Sequence, residues 1–217
     1  EVKVEGSYSS KIKALVAAVK RMEDGEKGIV FSEWEDMLEL CSRALLHNNV
    51  RHVRCKGWKG ISRGLRLFRS DPEIAIIMLP LKSGANGLNI IEATHVFLCE
   101  PVLNVGVELQ AIGRVHRIGQ TRPTTVHRLI VSDTVEEKVI ELTKKKTRET
   151  RPEELSATAR KGNVARGKEG ISVSDLDALF GADQREALEQ RESALERGGG
   201  EGGATGSGDS EEGGREE

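Results

Sequence analysis

The stretch that decides the fold is IAIIML, residues 74–79, an apolar run without a polar position. So short an unbroken run predicts a strand that is buried on both faces, which is typical of parallel sheets. Residues 28–32 (GIVFS) and 95–99 (HVFLC) have the same character, and residues 51–55 are a further strand candidate. Residues 124–131 (TTVHRLIV) are rich in β-branched side chains, which favour strands. The sequence therefore predicts a sheet of about five strands.

Helical patterns fill the segments between these strands. The first predicted helix begins at Ser9 or Ser10 and carries its apolar residues on one face. Further helices are predicted over residues 33–46, 59–68, 107–117 and 133–147. Because strands that alternate with helices form βαβ units, we predict an α/β domain with one parallel sheet flanked by helices. The fold alone leaves the activity open.

Charge is divided unevenly along the chain of 217 residues. Residues 1–150 hold 24 Lys and Arg against 19 Asp and Glu, whereas residues 151–217 hold 9 against 16, and the net charge is −2. A mildly basic first part permits nucleic-acid contact without requiring it. No stretch approaches the length of about eighteen apolar residues that a membrane helix needs, so we expect no membrane partner.

Composition divides the chain into four predicted parts. They are an α/β lobe over residues 8–148, a polar linker over 149–170, a short helical extension over 171–197 and a tail over 198–217. The tail is rich in glycine and acidic residues and nearly free of apolar ones, so we expect it to be disordered. The extension carries a short amphipathic patch. That patch either docks on the lobe's own surface, which we favour, or serves as a helix for a partner.

The string with the most chemical information is QAIGRVHRIGQ, residues 110–120. Arg114 and Arg117 are three residues apart, so on the predicted helix they project from nearly the same face. Gly113 has no side chain, which lets another backbone or a phosphate come close. Guanidinium groups match phosphate oxygens in pairs and stabilise the charge that develops when a γ-phosphoryl group is transferred. For two arginines alone, a solvated basic helix end is the commoner explanation.

The whole string resembles motif VI of the SNF-type ATP-dependent DNA translocases of helicase superfamily two. Other blocks of that family follow in the expected order. Residues 27–38 (KGIVFSEWEDML) resemble motif IV, residues 81–101 (LKSGANGLNIIEATHVFLCEP) resemble motif V with the next strand, and residues 134–142 (TVEEKVIEL) resemble the closing helix. The resemblance covers about residues 8–148 and implies the second RecA-like lobe of a two-lobe motor.

A narrower resemblance is to nuclear ubiquitin ligases that combine an SNF-type motor with linker-histone, PHD and RING modules. It depends on the motif V and VI blocks and on SVSDLDALF, residues 172–180. The resemblance implies that such a protein acts in the nucleus on chromatin and in DNA repair. It also implies a ubiquitin-conjugating enzyme as a partner, reached only through the RING.

The family resemblance implies a nucleotide site shared with an N-terminal helicase lobe. Arg114 and Arg117 match the two arginines of motif VI that reach ATP across the lobe interface, where they stabilise the transition state. Gln110 matches the polar opening position and would bridge the nucleotide to neighbouring motifs, and Gly113 belongs to the same site. ATP and Mg²⁺ would be bound mainly by the first lobe, which supplies the Walker A loop and the acidic pair. We therefore expect no turnover from this chain alone.

The same resemblance implies contacts to the backbone of double-stranded DNA, read without regard to sequence. The predicted DNA-binding residues lie in motifs IV and V: Phe31, Ser32, Ser83, Gly84, Gly87 and Asn89. Trp34 could stack on a ligand, but we favour a buried core or interface position for it. The chain departs from the family at Ala85, where a second glycine is usual, and at Val105, where proline usually follows asparagine.

Other chemistry has weak support in the sequence. Residues 162–168 fit the spacing of a Walker A loop, but Glu169 stands where a Ser or Thr must bind Mg²⁺, so we assign a basic linker. Three scattered cysteines cannot form a structural zinc site, and His95 and His116 are not expected to act as acid–base catalysts. The alternatives are a non-catalytic fragment or degenerate lobe that binds DNA or protein and, with less support, an RNA helicase lobe.

Overall fold

The computed structural model of the chain describes residues 2–82, 88–149 and 179–181. Within these residues lies a five-stranded sheet in the order β2-β3-β1-β4-β5. Its strands are β1 (Gly28–Ser32), β2 (His52–Arg54), β3 (Ile76–Pro80), β4 (His95–Leu98) and β5 (Thr125–Arg128). Each neighbouring pair is parallel. The predicted α/β fold with a parallel sheet is confirmed, with strand bounds close to the predicted ones.

Alternate residues of the central strands enter two separate apolar cores. Ile29 and Phe31 of β1 lie in the first core and Val30 lies in the second. β3 and β4 alternate in the same way, so the strands are buried on both faces, as their unbroken apolar runs predict.

Helices cover both faces of the sheet. They are α1 (Ser10–Val19), α2 (Glu35–His47), α3 (Gly57–Ser70), α4 (Val105–Ile112) and α5 (Val135–Glu149). Apolar residues of α3, α4 and segment 88–93 pack in the first core, and those of α1 and α2 pack in the second. The Lys11 Nζ of α1 donates to Glu136 of α5 at 2.5 Å, which ties these two helices together.

Helix α4 differs from its prediction at both ends. It begins at Val105, where the Asn104 side chain accepts hydrogen bonds from the N–H groups of Gly106 and Val107. Asparagine is a preferred helix-capping residue, so it replaces the start signal that proline would give. The helix ends at Ile112, and consecutive turns follow where the sequence predicts helix through residue 117.

The predicted parts beyond the lobe fall mostly outside the described residues. Residues 1–172 form one compact unit and residues 173–217 form another. In the second unit, residues 179–181 are helical. The predicted linker and tail lie outside the described residues, so their boundaries stay predictions.

Candidate functional site

Segment 113–120 leaves α4 as turns and lies along segment 88–93. The backbone N–H of Ile90 donates to the Arg114 carbonyl at 2.9 Å. The Arg117 guanidinium donates to the Leu88 carbonyl at 3.4 Å. These bonds join the end of the predicted motif V to the predicted motif VI, so the two blocks form one unit of structure.

Gln120 fastens the far end of the same segment. Its Nε2 donates to the carbonyls of Ile91 at 2.9 Å and Ala93 at 2.8 Å, and its Oε1 accepts from the Arg122 N–H at 3.1 Å. The sequence prediction assigned Gln120 no role. Its position as the last residue of the string 110–120 was the signal that could have indicated a role.

The two predicted catalytic arginines are close neighbours in different environments. Arg114 is 8% exposed, whereas Arg117 is exposed. Burial lowers the pKa of the Arg114 guanidinium, and the positive charge of Arg117 lowers that pKa further. The prediction that both project from one helix is wrong, because both follow the last residue of α4. Turns still bring their positive charges together, which favours an anion at this place.

Gln110 and Gly113 lie just before these arginines. Gln110 is 8% exposed and belongs to the last turn of α4, and Gly113 follows the helix with φ −64°. A Cβ on Gly113 would come within 3.1 Å of the Leu109 carbonyl oxygen. The absent side chain thus relieves crowding inside the helix end.

The predicted DNA-binding residues differ in their exposure to solvent where the structure describes them. Phe31 and Ser32 are each 1% exposed, so their side chains lie in the interior. Asn89 is exposed, and its carbonyl accepts a hydrogen bond from Arg69. Ser83, Gly84 and Gly87 lie outside the described residues, and so does Ala85. Asn89 is therefore the one member of the set that the described structure places at the surface.

Ser32 fixes the loop that follows β1. Its hydroxyl oxygen lies 2.8 Å from Glu100 Oε1 and accepts the Trp34 N–H at 3.0 Å. The other carboxylate oxygen of Glu100 accepts the Glu33 N–H at 3.2 Å. Burial raises the pKa of Glu100, and the hydrogen bonds from Ser32 and Glu33 oppose that rise. Ser32 and Glu100 thus set the direction of the loop rather than presenting donors to a ligand.

The loop itself exposes an aromatic ring among carboxylates. Trp34 is 65% exposed, so the prediction of a core position is wrong, while the alternative of an interface position stays a prediction. Glu33, Glu35 and Asp36 are exposed on either side of it. Glu35 and Asp36 occupy the first turn of α2, where negative charge stabilises the helix. Three carboxylates make this loop unfavourable for a phosphate.

His95 and His127 lie on the neighbouring strands β4 and β5 and contact each other, and His95 has the partners expected of a satisfied residue. His95 Nε2 lies 2.9 Å from Glu26 Oε2, and His95 Nδ1 lies 3.0 Å from His127 Nε2. Burial and the neighbouring His95 lower the pKa of His127. His116 is exposed between the two arginines.

Metal-ligand chemistry finds no support in the described residues. They contain no cluster of three His, Cys, Asp or Glu side chains that could hold a metal ion. Cys41, Cys55 and Cys99 are free and buried, and burial raises the pKa of the Cys55 thiol to about 11. No helix in the described part of the chain is long and apolar enough to cross a membrane.

The chain is similar to known proteins over the region of these motifs. It is 43% identical to the E3 ubiquitin-protein ligase SHPRH of Homo sapiens over 83% of this chain and 10% of that protein. It is 32% identical to the DNA repair protein rad8 of Schizosaccharomyces pombe over 79% of this chain and 15% of that protein. The chain therefore spans a small part of the length of these relatives. The predicted resemblance to an SNF-type ubiquitin ligase is confirmed as a similarity.

A solved structure shares the fold. The C-terminal part of the Fun30 ATPase domain matches with a TM-score of 0.60 and 29% identity, over 62% of this chain and 45% of that chain. This match confirms the RecA-like lobe. The model of the helicase conserved C-terminal domain matches residues 10–119. This range includes strands β1 to β4 and all of segment 113–120 except Gln120. The chain thus belongs to the helicase conserved C-terminal domain family.

Proposed function

We propose that this chain is the second RecA-like lobe of an ATP-dependent translocase of SNF type that moves on double-stranded DNA. The observation that carries the proposal is the pair Arg114 and Arg117. Their guanidinium groups lie close enough for one charge to lower the pKa of the other, on turns tied to segment 88–93. Two neighbouring cations of this kind are suited to a phosphate chain.

The two arginines would have different tasks at the nucleotide. Arg117 is exposed and its bond to Leu88 is long, so it can turn toward a phosphate that arrives from another lobe. Arg114 is buried and its carbonyl is bonded to Ile90, so it supplies a fixed positive charge at the same place. Positive charge held in position stabilises a transferring phosphoryl group without reorganisation.

ATP and Mg²⁺ fit this site only in part. The described residues offer guanidinium groups for phosphate but no carboxylate cluster for a divalent cation. Mg²⁺ and the remaining contacts to ATP would come from an N-terminal helicase lobe. When bound there, the nucleotide supplies the phosphoryl group, while this chain contributes charge and orientation.

The relatives suggest the setting in which such a lobe works. Some are named as DNA repair proteins and others as ubiquitin-protein ligases. By analogy, we propose a longer protein that acts on chromatin in the nucleus and also transfers ubiquitin. The three cysteines of this chain are too few for a RING, so a ubiquitin-conjugating enzyme would contact another part of that protein.

The test compares ATP hydrolysis with and without duplex DNA in a longer protein that includes the N-terminal lobe. Arg117→Ala should lower DNA-stimulated kcat by about 100-fold or more, because a phosphate-contacting arginine is worth about 10³ to 10⁵ in such reactions. Arg117→Lys should recover little, since an ammonium lacks the planar fork. Arg21→Ala, on the exposed end that follows α1, serves as the control. DNA-stimulated hydrolysis that survives Arg114→Ala with Arg117→Ala would remove the arginines from the mechanism.

A non-catalytic binding module is the second candidate. It is favoured by the absence of a metal-binding cluster in the part that the structure describes. The chain of 217 residues should hydrolyse no ATP in either case, so the longer protein decides. Nucleotide-independent DNA binding together with no turnover there would favour the module. Stimulation by duplex RNA rather than duplex DNA would instead indicate an RNA helicase lobe.

A further inference from the structure

Helix α3 presents a row of cations that the predicted site leaves unexplained. Lys59, Arg63 and Arg66 are all exposed. At about 100° per residue, the three positions fall within about 60° of one another around the helix. The opposite side of α3 packs in the first core through Ile61, Leu65 and Phe68, so the orientation of the row toward solvent is fixed.

These three cations differ in their ion pairing from the arginines around them. Arg51 pairs with Asp71 at 2.8 Å, Arg54 pairs with Glu39, and Arg69 pairs with Glu92 at 2.9 Å. In the described part of the chain, by contrast, none of the ion pairs involves the row on α3. Acidic side chains near α3 therefore pair with other arginines and not with the row.

The row is unfavourable for the helix that carries it. Like charges three and four residues apart destabilise a helix. A cation in the first turn also opposes the helix dipole, and Lys59 lies there while no acidic residue does. A row that costs stability and has no ion pair within the described part of the chain is available to an external partner of opposite charge.

The shape of the row fits a nucleic-acid backbone. Lys59 and Arg66 are seven residues apart, about 10 Å along the helix axis. Phosphates of one DNA strand recur about every 3.4 Å of duplex axis, so a row of this length along the duplex spans about three of them. Among the described side chains of α3, Leu67 is the exposed apolar one, which is too little for insertion into a membrane.

The position of the row connects it with the proposed site. α3, segment 88–93 and the residues around Arg114 share the first core and so lie on one face of the sheet. Arg69, one turn beyond Arg66, bonds to Asn89. We infer that Lys59, Arg63 and Arg66 form a second DNA contact of this lobe, one that holds the phosphate backbone of double-stranded DNA on the outer side of α3. The inference rests on the proposed function, which it deepens by adding a contact outside motifs IV to VI.

The experiment measures binding of the 217-residue chain to a short labelled DNA duplex, without nucleotide, over a series of salt concentrations. The variant carries Lys59→Gln, Arg63→Gln and Arg66→Gln. The matched control removes the same charge away from α3 through Lys13→Gln, Arg21→Gln and Lys144→Gln, all at exposed positions. Each phosphate contact adds about 0.9 to the slope of log affinity against log salt.

We expect the α3 variant to bind at least about tenfold more weakly at low salt and its slope to fall by about 2 to 3. Its thermal midpoint should stay level or rise, because repulsion along the helix is relieved. The inference fails if the α3 variant binds as the unchanged chain does. It also fails if the control loses as much, or if the unchanged chain binds no duplex at low salt. ATP hydrolysis by the arginine variants of the longer protein tests the proposed function separately.

Discussion

Lys27 closes the carboxyl end of α3 from a different element of the fold. Its Nζ donates to the carbonyls of Phe68 at 2.5 Å and Asp71 at 2.7 Å, and it lies 4.8 Å from the centre of the Phe68 ring. The last carbonyls of a helix have no partners within it, and a cation there also suits the helix dipole. Partial burial lowers the pKa of Lys27, which marks the cost of holding a charge in this place.

We predict that Lys27→Met lowers the free energy of unfolding by about 1–3 kcal/mol, because two carbonyls lose their donor in a partly buried place. Urea denaturation monitored by circular dichroism measures the change. Lys13→Met, at an exposed position of α1, should change the stability by less than about 0.5 kcal/mol. Equal effects of the two substitutions would contradict the capping role.

Single residues also explain where the two arginines of segment 113–120 end up. The Arg114 carbonyl accepts the Ile90 N–H, so it serves a distant segment instead of the next turn of a helix. Spacing of three residues predicts a common helix face only if the helix continues. Tertiary hydrogen bonding decides that it does not, and the arginines therefore differ in burial.

At the scale of elements, α3 and β2 approach closely at one glycine. A Cβ on Gly64 would lie 2.3 Å from Cys55 Sγ and 3.5 Å from Val53 Cγ2. Cys55 is 1% exposed, so its sulfur has little room to move. Gly60, one turn earlier on the same helix, would place a Cβ no closer than 3.8 Å to Cys55. A side chain at Gly64 would thus clash with Cys55, whereas Gly60 has room for a Cβ.

We predict that Gly64→Ala destabilises the protein by about 1–3 kcal/mol through overpacking, despite the better helix propensity of alanine. Gly60→Ala should be neutral or stabilising by up to about 1 kcal/mol, because it gains that propensity without a clash. Chemical denaturation of both variants provides the comparison. A stabilised Gly64→Ala protein would show that α3 can move away from β2 at little cost.

The strands were the elements best predicted from the sequence. β1 has the predicted bounds, and β3 and β4 differ by one or two residues, because an unbroken apolar run has few positions in which every residue can be buried. Helix ends were predicted less well. α3 begins two residues earlier and ends two residues later than its pattern, since Gly57 and Ser70 carry no periodic signal.

At the scale of the whole molecule, the sheet separates two chemically different faces. The face with α3 and segment 113–120 carries the row Lys59, Arg63 and Arg66 and the candidate nucleotide contacts, whereas α2 on the other face begins with exposed carboxylates. A net charge close to zero conceals this division. Steering of a polyanion depends on the local field rather than on the net charge.

Shifted pKa values of His127, Glu26 and Glu100 make the stability of the whole fold depend on pH. The pKa of His127 lies below its ordinary value of 6.5, so the folded state resists a proton that the unfolded chain accepts. The stability that this lowered pKa provides is complete above about pH 6.5, and it is lost as the pH falls through the pKa of His127 in the folded state. The pKa of Glu26 is lowered as well, mainly by the Glu23 backbone and by His95, and its contribution is also lost in acid. Glu100, whose pKa is raised, changes stability in the opposite sense.

We predict that the urea midpoint falls between pH 7.5 and pH 5.5 and that His127→Gln makes this fall smaller. A proton on His127 would add a positive charge in a partly buried place, where His127 Nε2 lies 3.0 Å from His95 Nδ1. The same substitution at exposed His116 controls for the loss of a histidine. If His127→Gln leaves the difference between the two pH values unchanged, the histidine pair does not govern acid sensitivity.

The sequence by itself determined the class of fold, the order of its elements and the family, because apolar runs, helical periodicity and the string 110–120 are local properties of the chain. Tertiary structure alone decided three other matters. It ended α4 before the arginines by giving the Arg114 carbonyl to Ile90, it buried Phe31 and Ser32 while exposing Trp34, and it left Lys59, Arg63 and Arg66 without an ion pair among the described residues. Each of these depends on which segments meet across the sheet, and such meetings are set by packing between residues far apart in the chain.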